Sequence, residues 1–154
     1  MIKINVINNN LKWFFFIKNP NSYIDRKVKK LNLKNKDFKK NIIFCSLLLS
    51  GNQEIKKLNK KFRKKNKSTD VLSFPFYNEK NLKKKLKKEK EIYLGDIIIN
   101  INKVRFKKNL KLFKSHFDKL WIHGLVHLFG HDHKSEKDHR KMNKVETDYL
   151  KYIR

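Results

Sequence analysis

Residues 121–133 read W-I-H-G-L-V-H-L-F-G-H-D-H, and this stretch constrains the fold more than any other part of the chain. His123 and His127 are four apart, so a helix would project both from one face, one turn above the other. Gly130 stands where that helix needs a left-handed stop, which lets the chain turn and bring His133 back toward the first pair. A fold for this sequence must hold a helix end and its exit loop around one point. Three neutral nitrogen donors with a fourth position open are the arrangement of a catalytic zinc; structural zinc sites close with four protein ligands and usually contain cysteine. A single histidine on an apolar helix face is more often a packed core residue, but three at this spacing around a glycine point to a ligand set. Neutral imidazoles favour zinc, although nickel, copper or iron would bind such a site as well.

The only cysteine, Cys45, lies inside an apolar run, so neither a disulfide framework nor a cysteine-based zinc site can be built, and a reducing cytoplasm fits. The 154 residues suit one domain, 1–154, with a single hydrophobic core. A formal charge of +26, from 40 basic against 14 acidic residues, makes a polyanion the first partner to consider. That charge is permissive only, because just five basic residues are arginine and the abundance of Lys, Asn, Ile and Phe is what an A/T-rich genome would impose. The apolar runs at 13–17 and 42–49 are too short for a signal peptide or a membrane span, so a soluble protein is expected.

Taken in order, 2–7 alternates apolar and polar as a half-buried strand does, and 8–10 breaks it. Tyr23, Ile24, Val28 and Leu31 recur at helical spacing behind a Ser or Asn cap, giving an amphipathic helix over 20–33. A charged linker over 34–40 leads to 42–49, a strand buried on both faces, punctuated by Ser50-Gly51-Asn52. Helical spacing returns at Ile55, Leu58 and Phe62. A polar loop over 64–68 precedes a short strand over 71–76, where Pro75 requires a sheet edge. The lysine-dominated run in 78–90 reads as a solvated loop or frayed helix. The next strand, 91–99, carries Gly95-Asp96 in its middle, the mark of a bulge or a close backbone approach. Helical segments are then expected at 101–110, 115–129 and 136–152, the last with an apolar stripe of Met142, Val145, Tyr149 and Leu150. The pattern predicts an α+β fold: a single mixed sheet of about four strands packed with about five helices.

Three blocks of the sequence resemble the YbeY family of bacterial metal-dependent endoribonucleases. Leu58-Asn59 with Phe62-Arg63, followed by Thr69-Asp70-Val71-Leu72-Ser73-Phe74-Pro75, is similar to the family's L-N-x-x-F-R and T-D-V-L-S-F-P segments. Leu94-Gly95-Asp96-Ile97 is similar to its L-G-D-I strand. The run from His123 to His133 is similar to its H-G-x-L-H-L-x-G-Y-D-H motif, with Met142 and Glu146 at the family's distance behind. His131 stands where the family usually has Tyr, and Ser68 where it usually has Pro. The resemblance implies a zincin-like site in which His123, His127 and His133 hold one zinc ion per chain. It further implies a single-strand-specific endoribonuclease that acts in ribosomal RNA processing, at the 3′ end of 16S rRNA, and in small-subunit assembly or quality control. Ribosomal RNA and the small ribosomal subunit are the implied partners, with the assembly GTPase Era as a further candidate; no membrane or DNA partner is expected.

In that scheme the ion lowers the pKa of its water toward about 7 for attack on a phosphodiester. Arg63 is the candidate catalytic residue, because its planar fork matches two phosphate oxygens; otherwise it is an ordinary cation at a helix C-terminus. Asp132 is either an acceptor that fixes an imidazole tautomer or a turn-forming residue. His131 adds a nitrogen near the metal or is an exposed ring in place of tyrosine. Asp70 and Ser73 are expected to brace the loop after Arg63, His116 and Asp96 to make core hydrogen bonds, and His139 to lie on the surface. Two rivals remain: an assembly factor whose metal is mainly structural and whose basic surface provides binding, and a zinc peptidase. The histidine spacing matches the peptidase pattern H-E-x-x-H-x-x-G-x-x-H, but Gly124 occupies the place of its general base.

Overall fold

The computed structural model describes residues 1–35 and 40–154, so most of the linker expected at 34–40 lies outside the described residues. Strand β1 (Ile2–Asn8) alternates buried and exposed side chains as its sequence does. It leads through a 3-10 helix (Leu11–Phe15) that drives Trp13 into the core, where its indole N–H donates to the Ser50 carbonyl at 3.1 Å. Helix α1 (Pro20–Lys34) starts at Asn19, whose side chain accepts from the Ser22 amide, and Pro20 fits the first turn because its missing N–H would have had no partner. Then come β2 (Ile42–Ser50), α2 (Asn52–Arg63), β3 (Val71–Pro75), α3 (Glu79–Lys88), β4 (Glu91–Asn100), a 3-10 turn (Ile101–Lys103), α4 (Leu110–Leu128) and α5 (Glu136–Ile153).

The four strands form one mixed sheet in the order β1-β2-β4-β3, with β1, β2 and β4 parallel and β3 antiparallel to β4. Pro75 therefore sits on an edge strand, as its missing donor requires. Between Phe44 and Ser46 the β2/β4 register shifts so that β4 uses one extra residue, and Gly95 there has φ +130. A β-carbon on Gly95 would lie 2.1 Å from the Phe74 carbonyl oxygen, so the strand can bulge against β3 only with glycine.

One face of the sheet carries the main core, in which α1 packs on β1, α4 on β3 and β4, and α5 on α1 and α4. On the other face α2 covers a smaller cluster of Ile55, Leu72 and Ile98, flanked by Leu48, Leu58 and Phe74. Buried Asp118 ties α1 to α4. It accepts from the Tyr23 hydroxyl at 3.0 Å and the Trp121 indole at 2.9 Å, and pairs with Lys27 at 3.0 Å. Burial, reinforced by this carboxylate, raises the Tyr23 pKa far above its usual value.

Two helical expectations fail in opposite directions. The segment 101–110 makes only one 3-10 turn, because Asn109 caps a helix that begins at Leu110 and extends five residues further toward the N-terminus than expected. The lysine-dominated run instead forms a regular helix, α3, capped by Asn78 and anchored by buried Leu82, with Leu86 also packed against the core while most of its charges face solvent. The α+β class and the mixed four-strand sheet are as the sequence predicts. Among the described residues no helix is long and apolar enough to cross a membrane.

Candidate metal centre

Helix α4 is apolar nearly all round in its C-terminal half, since Trp121, Ile122, Leu125, Val126 and Leu128 are all buried. His123 and His127 occupy the one sector left facing a cleft of about 1100 Å³. Gly130 ends the helix at φ +89, with its N–H donating to the His127 carbonyl at 2.9 Å and that of His131 reaching the Val126 carbonyl at 3.3 Å. This is the Schellman pattern, which reverses the chain and returns His133 to the pair. One ring nitrogen from each of the three histidines lies within 4.8 Å of the others, so the cluster could hold a metal ion.

The hydrogen bonds fix the tautomers. His123 Nδ1 donates to Glu146 Oε1 at 2.7 Å, and His127 Nδ1 donates to the His131 carbonyl at 2.9 Å. In neutral rings both Nε2 atoms then carry lone pairs, and these two atoms are 3.1 Å apart. Two lone pairs so placed repel unless a cation lies between them; ligands about 2.05 Å from a tetrahedral zinc would be separated by about 3.3 Å. Burial, with the neighbouring His123 ring, holds the His127 pKa below its ordinary value and keeps the ring in the neutral, ligating form.

Sequence reasoning gave Glu146 no role, yet its carboxylate orients a ring of the cluster. The signal available was the α5 stripe: with Met142 buried and Tyr149 facing the core, Glu146 falls on the turn between them, toward α4. Asp132 proves to be the turn former, since its Oδ1 accepts from the His133 amide at 2.8 Å and lies 4.0 Å from the His133 ring. His131 contributes its carbonyl. Its half-buried ring lies near Glu79, Lys83 and Lys141 and is outside the three-nitrogen cluster.

Arg63 lines the same cleft from the end of α2, and its Nη2 donates to the Ser73 carbonyl at 3.2 Å. Asp70 Oδ1 accepts from Thr69 Oγ1 at 3.0 Å and the Val71 amide at 2.9 Å, bracing the loop as expected. His116 and Asp96 line no part of the cleft. His116 Nδ1 accepts from the Arg105 amide at 3.2 Å, and Asp96 takes the Tyr93 hydroxyl at 2.5 Å. His139 is exposed, with its ring 6.5 Å from that of His133.

Gly124 packs directly on the sheet. A β-carbon there would lie 2.6 Å from Ile97 Cγ2 and 3.2 Å from Ser73 Oγ. At the position where a zinc peptidase carries its glutamate, any side chain would therefore have to displace Ile97.

The sequence profile of the family described as Endoribonuclease YbeY matches residues 10–154. A Pelagibacter ubique protein named Endoribonuclease YbeY is 43% identical over 156 aligned positions, covering 100% of this chain and 97% of its own length. A relative of the same name from Thermodesulfovibrio yellowstonii is 36% identical over 84% of this chain and 77% of its own. The fold is similar to that of a Thermotoga maritima protein solved in solution, with a TM-score of 0.53, 24% identity, and 99% and 89% of the two chains covered.

Proposed function

The chain belongs to the YbeY endoribonuclease family, and from that premise we propose that it is a single-strand-specific, metal-dependent endoribonuclease of ribosomal RNA processing. His123, His127 and His133 hold one zinc ion. The observation that carries this reading is the pair of Nε2 atoms 3.1 Å apart, each on a ring whose other nitrogen is already committed. When bound, the ion supplies Lewis acidity and a water acidified toward a pKa of about 7. Glu146 and the His131 carbonyl hold the imidazoles in the ligating tautomer. Arg63, held by the Ser73 carbonyl in the wall of the same cleft, binds the scissile phosphate through its fork and stabilises the charge that develops there. Residues 1–154 act as one hydrolase domain in the cytoplasm. Its partners are ribosomal RNA at the 3′ end of 16S rRNA, the small subunit and the assembly GTPase Era.

Two features weigh against the rivals. A structural ion would be closed by four protein ligands, whereas three nitrogens converge here on an open cleft. Peptidase chemistry lacks its base because Ile97 fills the space beside Gly124.

The test compares wild type, His127→Ala and Arg63→Lys for metal content by elemental analysis and for cleavage of naked ribosomal RNA and of small subunits. The expected result is about one zinc per chain in wild type and Arg63→Lys and loss of metal in His127→Ala, with cleavage impaired in both variants. Equal metal in wild type and His127→Ala would remove the site, and full activity in Arg63→Lys would remove Arg63 from the mechanism.

A further inference from the structure

The face of the sheet turned away from α4 is only half covered. Helix α2 shields the end carrying Leu48, Leu72 and Ile98, but the other end carries a row of side chains that no helix among the described residues packs against. Lys3 on β1 pairs in register with Phe44 on β2, and Phe44 pairs with Tyr93 on β4. Phe76 follows at the end of β3, its ring centroid 6.0 Å from that of Tyr93 and its amide bonded to the Leu94 carbonyl at 2.8 Å. The row crosses all four strands and ends in the metal cleft, because Phe76 is also part of the cleft wall. Phe76 is 66% exposed and Tyr93 37%. A third exposed ring, Phe62, stands on Phe74 at 5.1 Å and precedes Arg63 in the chain.

Exposed Phe76 and Tyr93 meet edge to face, with half-buried Phe44 in register beside Tyr93 on the next strand, and exposed aromatic surface of this kind marks a contact site. Its chemistry is not that of a greasy protein interface. The Lys3 ammonium lies 5.7 Å from the Phe44 centroid and that of Lys61 5.2 Å from the Phe62 centroid, so cations stand over the rings. Two acids share the face. Asp96 accepts the Tyr93 hydroxyl, and Glu91 lies at the outer start of β4. Rings interleaved with lysines on an open sheet are what single-stranded nucleic acid requires, with bases stacking on aromatics and phosphates meeting ammonium groups. Adjacent strands are about 4.8 Å apart, a step that a single strand spans when its bases are drawn slightly beyond their stacked spacing of about 3.4 Å.

We infer that the row Lys3, Phe44, Tyr93 and Phe76 is a stacking track that receives single-stranded RNA and leads it across the sheet to the metal cleft. This rests on the endoribonuclease reading for the identity of the nucleic acid. A duplex cannot use the track because its bases are already stacked inside, so the track selects single strands by binding.

The test is fluorescence anisotropy with a labelled single-stranded RNA of about ten nucleotides and a duplex of the same length, long enough to cross the row at the strand spacing. Wild type, Phe76→Ala, Phe76→Ala with Tyr93→Ala, and Phe76→Trp are compared, with cleavage followed on gels in parallel. Single-strand affinity should fall about 5-fold or more per lost ring, duplex affinity should hold, and the salt dependence should be unchanged because no lysine is removed. Phe76→Trp should retain binding. Phe76 is exposed enough for its single substitution to leave the fold intact, which a thermal melt checks if the double variant fails. Unchanged single-strand affinity in Phe76→Ala, or equal loss for single strand and duplex, would overturn the track. Ring-dependent binding without cleavage in wild type would retain the track and sink the nuclease reading; cleavage with ring-independent binding would do the reverse.

Discussion

Glu146 shows how much of a candidate metal site lies outside the three histidines that could hold the ion. Its carboxylate is outside the three-nitrogen cluster, yet it decides which nitrogen of His123 is protonated and therefore which one faces the cluster. Partners of this kind typically contribute 10–100-fold in metal affinity. Glu146→Ala is therefore expected to keep the fold and weaken zinc binding by about that factor, read by competition with a chromophoric chelator, while Glu146→Gln, whose amide oxygen can still accept, loses less. An unchanged affinity in Glu146→Ala would show that the His131 carbonyl and helix packing suffice to orient the rings. His127 has no such exposed dependency, because its acceptor is a backbone carbonyl that the Gly130 turn delivers whatever side chain residue 131 bears. Tyrosine and histidine are for that reason interchangeable at 131 as far as His127 is concerned.

At the level of elements, the contact of α4 with β3 and β4 sets the depth at which the histidines sit. Gly124 allows that approach, with Ile97 and Ser73 occupying the space a side chain would need. Gly124→Ala is expected to destabilise the fold by about 1–3 kcal/mol through overpacking, and to weaken zinc binding because the helix must rise off the sheet. Combining it with Ile97→Ala should cost less than the sum of the two single changes, since the second removes the methyl groups the first collides with. Urea denaturation of the four proteins measures this, and strict additivity would show that the helix is seated by other contacts. Helix α3 also belongs to the site, since its first residue, Glu79, lies against Gly130 at the bend that returns His133.

For the molecule as a whole, the histidines link stability to pH. Burial holds the pKa values of His116, His127 and His131 below the ordinary histidine value of about 6.5. The unfolded chain then binds more protons than the folded one, so stability is present above about pH 6.5 and declines as pH falls from there toward the folded-state values. In chelator-treated protein the melting temperature should drop between about pH 7 and pH 5.5. The drop should be smaller in His116→Asn, whose side-chain oxygen can still accept the Arg105 amide without being able to charge. A melting temperature that is flat or rises on acidification would refute the linkage. The sequence alone determined which three histidines cluster, the left-handed stop at Gly130, the edge placement of Pro75 and the special backbone at Gly95. Each follows from helical periodicity or from a residue's own steric rule, which need no knowledge of distant contacts. It misplaced the helices around 78–110, because one buried leucine turns a lysine run into a helix and an asparagine cap starts α4 early. Only the tertiary structure decided that Glu146 serves His123, that Arg63 and the histidines line one cleft, and that half of one sheet face stays open. Those relations join residues far apart in sequence, and what fixes them is packing between elements, which leaves no local period to read.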